Sequence, residues 1–234
     1  WAQSLKLADA ATYAMIFRCK SIVFMLAGLS CFVFVYATTM TWIAPFFMRN
    51  FSATATEIGL IIGLASMIGG LVGTLSGGLL TDNLRTRSER SPTIVMLLSV
   101  VGAAPCLLGM LSSKDLTNAS IFYGFYVMFS SLWFGVGPSS LTELVMPRMR
   151  ATTLAFFIIC ITFFGFSLGP FTVGFYSDLL AQSGFSRGEA LRQAMLLSLL
   201  LLPVSFIFIR LAMTHFSKDV ASRVDRARLL GECC

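Results

Sequence analysis

Charge is scarce in this 234-residue sequence. Asp, Glu, Lys and Arg together make up 12% of the residues, whereas 56% are hydrophobic. The mean hydropathy is +0.83. A soluble domain of this size needs about twice as much charge to cover its surface. The composition therefore excludes an ordinary soluble protein and predicts an all-α integral membrane protein, because helices satisfy their own backbone hydrogen bonds in lipid.

Six long apolar runs contain no Asp, Glu, Lys or Arg at all. A helix needs roughly 20 mostly apolar residues to cross a hydrocarbon core about 30 Å thick. We therefore expect a cytoplasmic linker over residues 1–20, which includes a candidate interfacial helix, a six-helix transmembrane bundle over 21–213, and a basic cytoplasmic tail over 214–234. The predicted spans are 22–46, 58–80, 93–111, 121–141, 153–175 and 195–209.

Side chains for intramembrane catalysis are also missing. The single histidine, His215, follows the last apolar run, and no H-E-x-x-H sequence exists. Asp82 and Asp178 fall on opposite sides of the predicted membrane, so they do not form an aspartate pair. Hydrolysis in the membrane needs a Ser–His pair, two membrane aspartates or a zinc motif such as H-E-x-x-H. The sequence therefore predicts no enzyme activity, no metal and no cofactor.

The basic residues set the orientation. Thirteen of the 17 Lys and Arg residues fall at the N-terminal segment, the second and fourth interhelical loops and the C-terminal tail. The other four are Arg49, Lys114, Arg187 and Arg192. Positive charge marks the cytoplasmic side, so both termini are predicted to be cytoplasmic. The net charge of +6 therefore reflects membrane topology, and no nucleic-acid partner is predicted.

Small residues recur at spacings of three and four along the second apolar run. Close backbone approach drives helix association in lipid, so this run predicts a tightly packed helix interface, either sliding or static. The fifth run repeats the pattern more weakly and adds a proline that is expected to kink the helix. The predicted packing residues are Gly59, Gly63, Ser66, Gly70, Gly73, Gly77, Gly165, Gly169 and Pro170.

Aromatic residues cluster in the first and fourth runs. Most are expected to face lipid or the helix core. Those with a polar atom are better suited to line a cavity, because they present an apolar body and a hydrogen-bonding tip. The predicted cavity residues are Tyr36, Trp42, Tyr123 and Tyr126.

Two basic loops join the predicted spans on the cytoplasmic side. The first follows the second run and contains Gly78, Asp82, Arg85 and Arg87. An aspartate there can cap a helix or pair with an arginine across an interface and so lock one conformation; an ordinary solvated loop is the alternative. The second loop joins the fourth and fifth runs and is made rigid and basic by Pro147, Arg148 and Arg150.

The loop from Gly78 to Arg87 is similar to the cytoplasmic loop motif of the major facilitator superfamily. Here Asn83 follows the aspartate, where that motif usually has a basic residue. Beyond the superfamily, the chain resembles the spinster-like family from about residue 10 to 213. The resemblance rests on the segments 42–49, 137–138, 147–151, 165–170 and 174–178.

This resemblance implies the C-terminal six-helix half of a secondary transporter, in which two halves rock around a midplane site. It also implies a small amphipathic or lipid-like organic solute as cargo. The expected partners are an N-terminal six-helix half and the lipid bilayer, and the short loops favour a bacterial inner membrane. Because Trp1 is not an initiator Met, we expect a processed or truncated product. A stand-alone six-helix scaffold and a half-transporter that works as a homodimer are the alternatives.

Proton coupling usually needs an ionisable side chain inside the membrane. The predicted spans contain none, and Glu57 and Glu143 lie only at span ends. If the transporter is proton-coupled, the proton relay is expected in the N-terminal half.

Overall fold

The computed structural model describes residues 17–51, 53–86 and 88–222. Within these ranges the chain is a bundle of six helical spans without a strand. Each span is long and apolar enough to cross a membrane, which confirms the predicted all-α, six-span architecture. The spans, numbered one to six, are Lys20–Phe51, Ala55–Arg85, Ser91–Ser112, Leu116–Glu143, Arg150–Gln182 and Arg187–Ala221.

Successive spans run in opposite directions, so the bundle has two ends. One end holds the close of span one and the start of span two, and we call it the Arg49 end. The other holds the close of span two and the close of span four, and we call it the Arg85 end. The predicted boundary at residue 213 falls inside span six, which continues to Ala221.

Span one is the central helix of the bundle, with 61% of its most apolar window buried. Span six packs closely along it: the Ser205 hydroxyl donates to the Gly28 carbonyl at 2.8 Å. At the Arg85 end the Asp219 carboxylate accepts the backbone N–H of Ser21 at 2.9 Å and the thiol of Cys19 at 3.3 Å. The carboxylate thus satisfies a backbone donor that the helix start would leave unpaired. Span six thus stabilises the beginning of span one through hydrogen bonds.

Spans four, five and six are each interrupted. Span four consists of Leu116–Ser131 and Trp133–Glu143. Span five has a π-helical turn at Ile161–Ser167 between Arg150–Cys160 and Leu168–Gln182, and a 3₁₀ turn at Pro147–Met149 precedes it. Span six consists of Arg187–Ser198 and Leu201–Ala221.

A proline follows each interruption within six residues or fewer: Pro138, Pro170 and Pro203. Because proline has no N–H and its ring crowds the preceding turn, the helix ladder is weakened just upstream. Pro45, by contrast, lies inside the uninterrupted helix of span one.

The predicted interfacial helix over residues 5–17 lies almost entirely outside the described residues. Arg87 and residues 223–234 of the predicted tail also lie outside them.

Candidate functional site

The least buried spans are two and five. Only 17% of the most apolar window of span two and 22% of that of span five are buried, against 61% in span one. Both spans expose large apolar side chains, such as Leu71 and Phe171, which are 61% and 69% exposed. Spans two and five therefore carry most of the apolar surface that another membrane component would cover.

The predicted packing stripe of span two is split into two parts. A Cβ on Gly73 or Gly77 would collide with the backbone carbonyl of Met128 or Leu132, so both glycines are in close contact with span four. Gly69, which the sequence reasoning missed, belongs to this contact, since its Cβ position is 2.9 Å from the Gly124 carbonyl oxygen.

The rest of the stripe lies toward the Arg49 end, where its glycines have no close contact with another span among the described residues. Gly59 and Gly63 have no atom within 4 Å of a Cβ position, and Gly70 has only the Ser131 hydroxyl at 4.0 Å. Ser66 is exposed. Within the described residues, the close glycine contacts between spans two and four are therefore confined to the Arg85-end part of the stripe.

Span five packs on span one through its glycines. The Cβ position of Gly165 is 2.6 Å from Val33 Cγ1, and that of Gly169 is 2.7 Å from the Phe34 carbonyl oxygen. Gly165 lies in the π-helical turn, whose wider ring shifts the helix register by one residue. Pro170 contributes its carbonyl, which accepts the indole N–H of Trp42 at 3.0 Å.

An aromatic and hydroxyl cluster occupies the contact between spans one, two and four. Tyr123 and Tyr126 are 0% and 1% exposed, and their rings stack with centroids 6.5 Å apart. The Tyr123 hydroxyl lies beside Ser66 and is 3.9 Å from Met40 Sδ. We call Tyr36, Thr39, Met40, Ser66, Tyr123 and Tyr126 the tyrosine cluster.

The tyrosine cluster has unused hydrogen-bonding capacity. The Tyr126 hydroxyl lies next to Thr39, but it makes no well-formed hydrogen bond with any described residue. The Thr39 hydroxyl donates instead to the carbonyl of Val35 in its own helix, at 2.8 Å. A buried hydroxyl without a partner is costly. The cluster reaches the surface at Ser66, the one exposed residue among its members.

The structure brings together three of the four predicted cavity residues. Tyr36 is half-buried and packs edge-on against Phe134, with ring centroids 5.6 Å apart. Trp42 lies apart from the cluster, at the seam between spans one and five, where its ring fills the space above Gly174. The seam position follows from the small residues of span five, which leave room for an indole.

No protein-family model matches the chain, but it is similar to named transporters. It is 27% identical over 213 residues to an MFS-type efflux pump of Mycolicibacterium smegmatis, covering 90% of this chain and 48% of the pump. It is 28% identical over 138 residues to the sphingosine-1-phosphate transporter SPNS2 of Danio rerio, covering 57% of this chain and 27% of that protein. It is 26% identical over 175 residues to protein spinster of Drosophila melanogaster, covering 70% and 28%. The chain spans less than half the length of each of these relatives.

Two crystal structures of a bacterial homolog to human lysosomal transporter Spinster share the fold. The inward-facing unoccupied form matches with a TM-score of 0.76 at 22% identity, over 89% of this chain and 50% of that chain. The inward-facing occupied form matches with a TM-score of 0.74 at 21% identity, over 87% and 51%. The chain is thus similar in sequence to MFS-type and spinster proteins, and it shares the fold of the bacterial Spinster homolog. It corresponds to the C-terminal half of the fold, which confirms the resemblance drawn from its motifs.

In this half, the loop after span two forms a different ion pair from the one expected. Arg85 binds the Glu143 carboxylate at 2.5 Å and so joins the end of span two to the end of span four. Asp82 is exposed, and no ion pair connects it to another described residue. Gly78 has no neighbour within 4 Å of a Cβ position. The acid that engages the loop arginine is therefore Glu143, because it stands at the adjacent helix end.

The second basic loop turns tightly at the Arg85 end. Pro147 opens the 3₁₀ turn, and Arg150 begins span five with an exposed side chain. The side chain of Arg148 lies outside the described part of the structure. This loop carries its arginines at the same end as the Arg85–Glu143 pair.

Two acids have structural roles at span ends. Glu57 forms a capping box with Thr54: the Thr54 backbone N–H donates to the Glu57 carboxylate at 2.9 Å, and the Glu57 N–H donates to the Thr54 hydroxyl at 3.3 Å. A T-x-x-E sequence before an apolar run is the signal that predicts this cap. Asp219, the acid that holds the start of span one, has no such local signal. Among the described residues, no three His, Cys, Asp or Glu side chains come together as a metal site.

Proposed function

We propose that this chain is the C-terminal half of a secondary transporter that moves a small amphipathic or lipid-like organic solute by alternating access. The observation that carries the proposal is the position of the tyrosine cluster. It lies between spans one and four, which are the better buried helices, and reaches the surface beside the uncovered part of span two. A binding cavity shared with a second half needs this arrangement of an apolar wall with a few polar tips.

The relatives support both the transport activity and the type of solute. The Mycolicibacterium smegmatis protein is an efflux pump, and the Danio rerio protein is a sphingosine-1-phosphate transporter. The wall of the proposed cavity in this half carries aromatic rings and hydroxyls but no charge. Such a wall suits the apolar part of an amphipathic molecule.

An N-terminal six-helix half is the proposed partner. Its surface would cover the exposed sides of spans two and five, including Gly59 and Gly63, whose Cβ positions have no described residue within 4 Å. Small residues allow backbones to approach closely in lipid, so the Arg49-end part of span two suits contact with a second half. In this arrangement the two halves rock around the tyrosine cluster.

The proposed orientation has both termini in the cytoplasm of a bacterial inner membrane, with the Arg85 end inside. Asp82 would then be an exposed acid at the cytoplasmic surface, available to an arginine or a helix N-terminus of the other half. Proton coupling, if present, would rest on that half, because Glu57 caps a helix and Glu143 is paired with Arg85.

Cysteine labelling in the full-length transporter tests the cavity. Ser66 and Leu71 are both exposed on span two of this half, but only Ser66 lies beside the tyrosine cluster. In a background without other cysteines, Ser66→Cys is expected to react with a water-soluble maleimide and Leu71→Cys to remain unlabelled in lipid. A fluorescent amphiphile that the protein moves should slow labelling at Ser66→Cys. No labelling at Ser66→Cys, or equal labelling at both positions, would sink the cavity assignment.

The homodimer alternative has its own readout. If the 234-residue chain alone moved the amphiphile across proteoliposomes and crosslinked to a second copy, the transporter would be a dimer of identical halves. The proposal expects transport only when the N-terminal half is also present.

A further inference from the structure

A polar cavity lies at the Arg49 end, where the close of span one meets span five and the start of span six. Its volume is about 530 Å³, and its lining includes Arg49, Arg187, Ser177, Asp178 and Gln182. We call it the arginine cavity. It differs from the tyrosine cluster in carrying charged side chains.

Backbone contacts bring the two arginines of this cavity together. The Cβ position of Gly188 is 3.1 Å from the carbonyl oxygen of Arg49. The side-chain amide of Asn50 donates to the Gly188 carbonyl at 3.3 Å and to the Phe46 carbonyl at 3.1 Å. The close of span one is thus joined to the start of span six, and Arg49 and Arg187 reach one cavity from two adjacent helix ends.

The arginine cavity carries uncompensated positive charge. Two arginines and one aspartate line it, and in the described part of the chain neither guanidinium has a carboxylate within 4.0 Å. Arg187 is also the first residue of a helix, where a cation faces the positive end of the helix dipole. An anion bound between the two arginines would relieve both repulsions.

Ser177 supplies an unused hydroxyl at the same place. It lines the arginine cavity but is only 4% exposed, and its hydroxyl makes no hydrogen bond with any residue that the structure describes. Thr172 in the same span donates instead to the Leu168 carbonyl of its own helix, at 2.7 Å. Because a buried hydroxyl without a partner is costly, the Ser177 hydroxyl favours a ligand that accepts a hydrogen bond.

The set of donors favours a phosphate over a carboxylate. An arginine fork gives two parallel hydrogen bonds to the oxygens of either group. A carboxylate has only two oxygens, so a single arginine can engage both. A phosphate has further oxygens, which can accept from a second guanidinium and from a hydroxyl.

We propose that the arginine cavity binds a phosphate group, which belongs either to a lipid headgroup or to a water-soluble phosphate ester. Arg49 and Arg187 bind the phosphate oxygens through their guanidinium groups, and Ser177 donates its hydroxyl. Asp178 repels the anion and lowers the affinity. The site is separate from the tyrosine cluster and does not depend on the proposed transport function.

A titration with inorganic phosphate tests the site in the full-length protein. The protein is purified in a maltoside detergent, which contains no phosphate, and binding is followed by the broadening of the phosphorus NMR line. Arg49→Ala and Arg187→Ala should each weaken binding about tenfold, because each removes charge-assisted hydrogen bonds. Arg49→Lys keeps the charge but not the fork and should recover only part of the affinity. Thermal unfolding checks that each variant folds.

Matched variants separate the cavity from a general effect of charge or mutation. Lys114→Ala removes a positive charge at the same end of the bundle but outside the cavity lining, and it should leave phosphate binding unchanged. Ser177→Ala should weaken binding about threefold. Ser183→Ala should not, because the Ser183 hydroxyl donates to the Leu180 carbonyl at 2.9 Å and does not line the cavity. Asp178→Asn should strengthen binding, since it removes the repulsion.

A competition experiment distinguishes the two sources of the phosphate group. Glycerol phosphate, phosphatidic acid and diacylglycerol are each added to the protein with bound inorganic phosphate, in the same micelles. Displacement at far lower concentration by phosphatidic acid than by glycerol phosphate would identify a lipid headgroup. Equal displacement by the two would identify a water-soluble ester. Diacylglycerol has no phosphate and should displace nothing.

Three results would overturn the proposal. Full phosphate affinity in the Arg49→Ala, Arg187→Ala double variant would place any phosphate site elsewhere. An equal loss in Lys114→Ala would show a general effect of surface charge. Absence of phosphate binding to the full-length protein would show that the cavity is covered or takes no phosphate.

Discussion

Toward the Arg85 end of span two, Gly73 and Gly77 press against backbone carbonyls of span four, whereas toward the Arg49 end the Cβ positions of Gly59 and Gly63 have no described atom within 4 Å. The same residue type at the same spacing thus does two different things in one helix. Packed glycines fix span two to its own half. Open glycines leave a surface for something outside it. A small-residue pattern in a membrane helix therefore indicates that a close contact forms, but not with which partner.

The largest effect is expected where a glycine meets a carbonyl. Gly77→Ala should lower the free energy of unfolding by about 3 kcal/mol, because its Cβ would collide with the Leu132 carbonyl and a backbone atom cannot move aside cheaply. Gly63→Ala is the matched variant and should leave stability unchanged in this chain. Thermal unfolding in detergent measures both. Equal losses for the two variants would erase the distinction between the two parts of span two.

Two serines of span two test the same division through transport. Ser66 lies beside Tyr123 in the open part, and Ser76 donates to the Gly73 carbonyl in the packed part. Ser66→Val should reduce transport about tenfold, because it removes a hydrogen bond worth about 1.4 kcal/mol. Ser76→Val should leave the transport rate unchanged. Uptake into proteoliposomes is the measurement, with thermal unfolding as a check that both variants fold. A larger transport defect in Ser76→Val would place the cavity elsewhere.

The start of span two carries a local cap, in which Thr54 and Glu57 bond to each other's backbone N–H groups. Thr54→Ala removes the capping hydroxyl and should lower Tm by about 3 °C. Thr56→Ala, two residues on and exposed without a capping contact, should not. Tm values of the two variants in one detergent decide the matter, and an equal Tm for both would mean that packing holds this helix start.

The smallest effect is expected at the close of span two. The Arg85 and Glu143 side chains are 55% and 24% exposed, so water screens their attraction. A double-mutant cycle with Arg85→Ala and Glu143→Ala should give a coupling energy of 0.2–1 kcal/mol that falls as salt is raised. A coupling well above that range would make this pair, rather than the packed glycines, the main link between spans two and four.

The fold could be predicted from the sequence because each span leaves a local signal. A charge-free run of about 20 residues needs no partner to be recognised, and the proline of span five marks a real irregularity. The positions of the breaks at Leu132 and at Leu199–Leu200 were not predicted. A proline weakens the helix upstream of itself, but the packing of neighbouring helices decides at which residue the helix breaks.

The candidate site could be predicted from the sequence only in part. Tyr36, Tyr123 and Tyr126 were chosen for their chemistry and do meet, but Trp42 has the same chemistry and lies elsewhere. Packing decides which neighbouring helices a side chain faces. Because these spans are apolar on all sides, the sequence pattern does not mark the face that lines the site. Contacts across nearly 200 residues, such as Ser21 with Asp219, leave no pattern in a single sequence.

That last contact bears on how the protein is made. A ribosome adds about 5–20 residues per second, so the 198 residues between Ser21 and Asp219 separate their synthesis by about 10–40 s. During that interval the most deeply packed helix of the finished bundle lies in the bilayer without the helix that will cover it. Span one must therefore be a competent membrane segment alone, and its buried Thr39 meets this demand by bonding to its own helix.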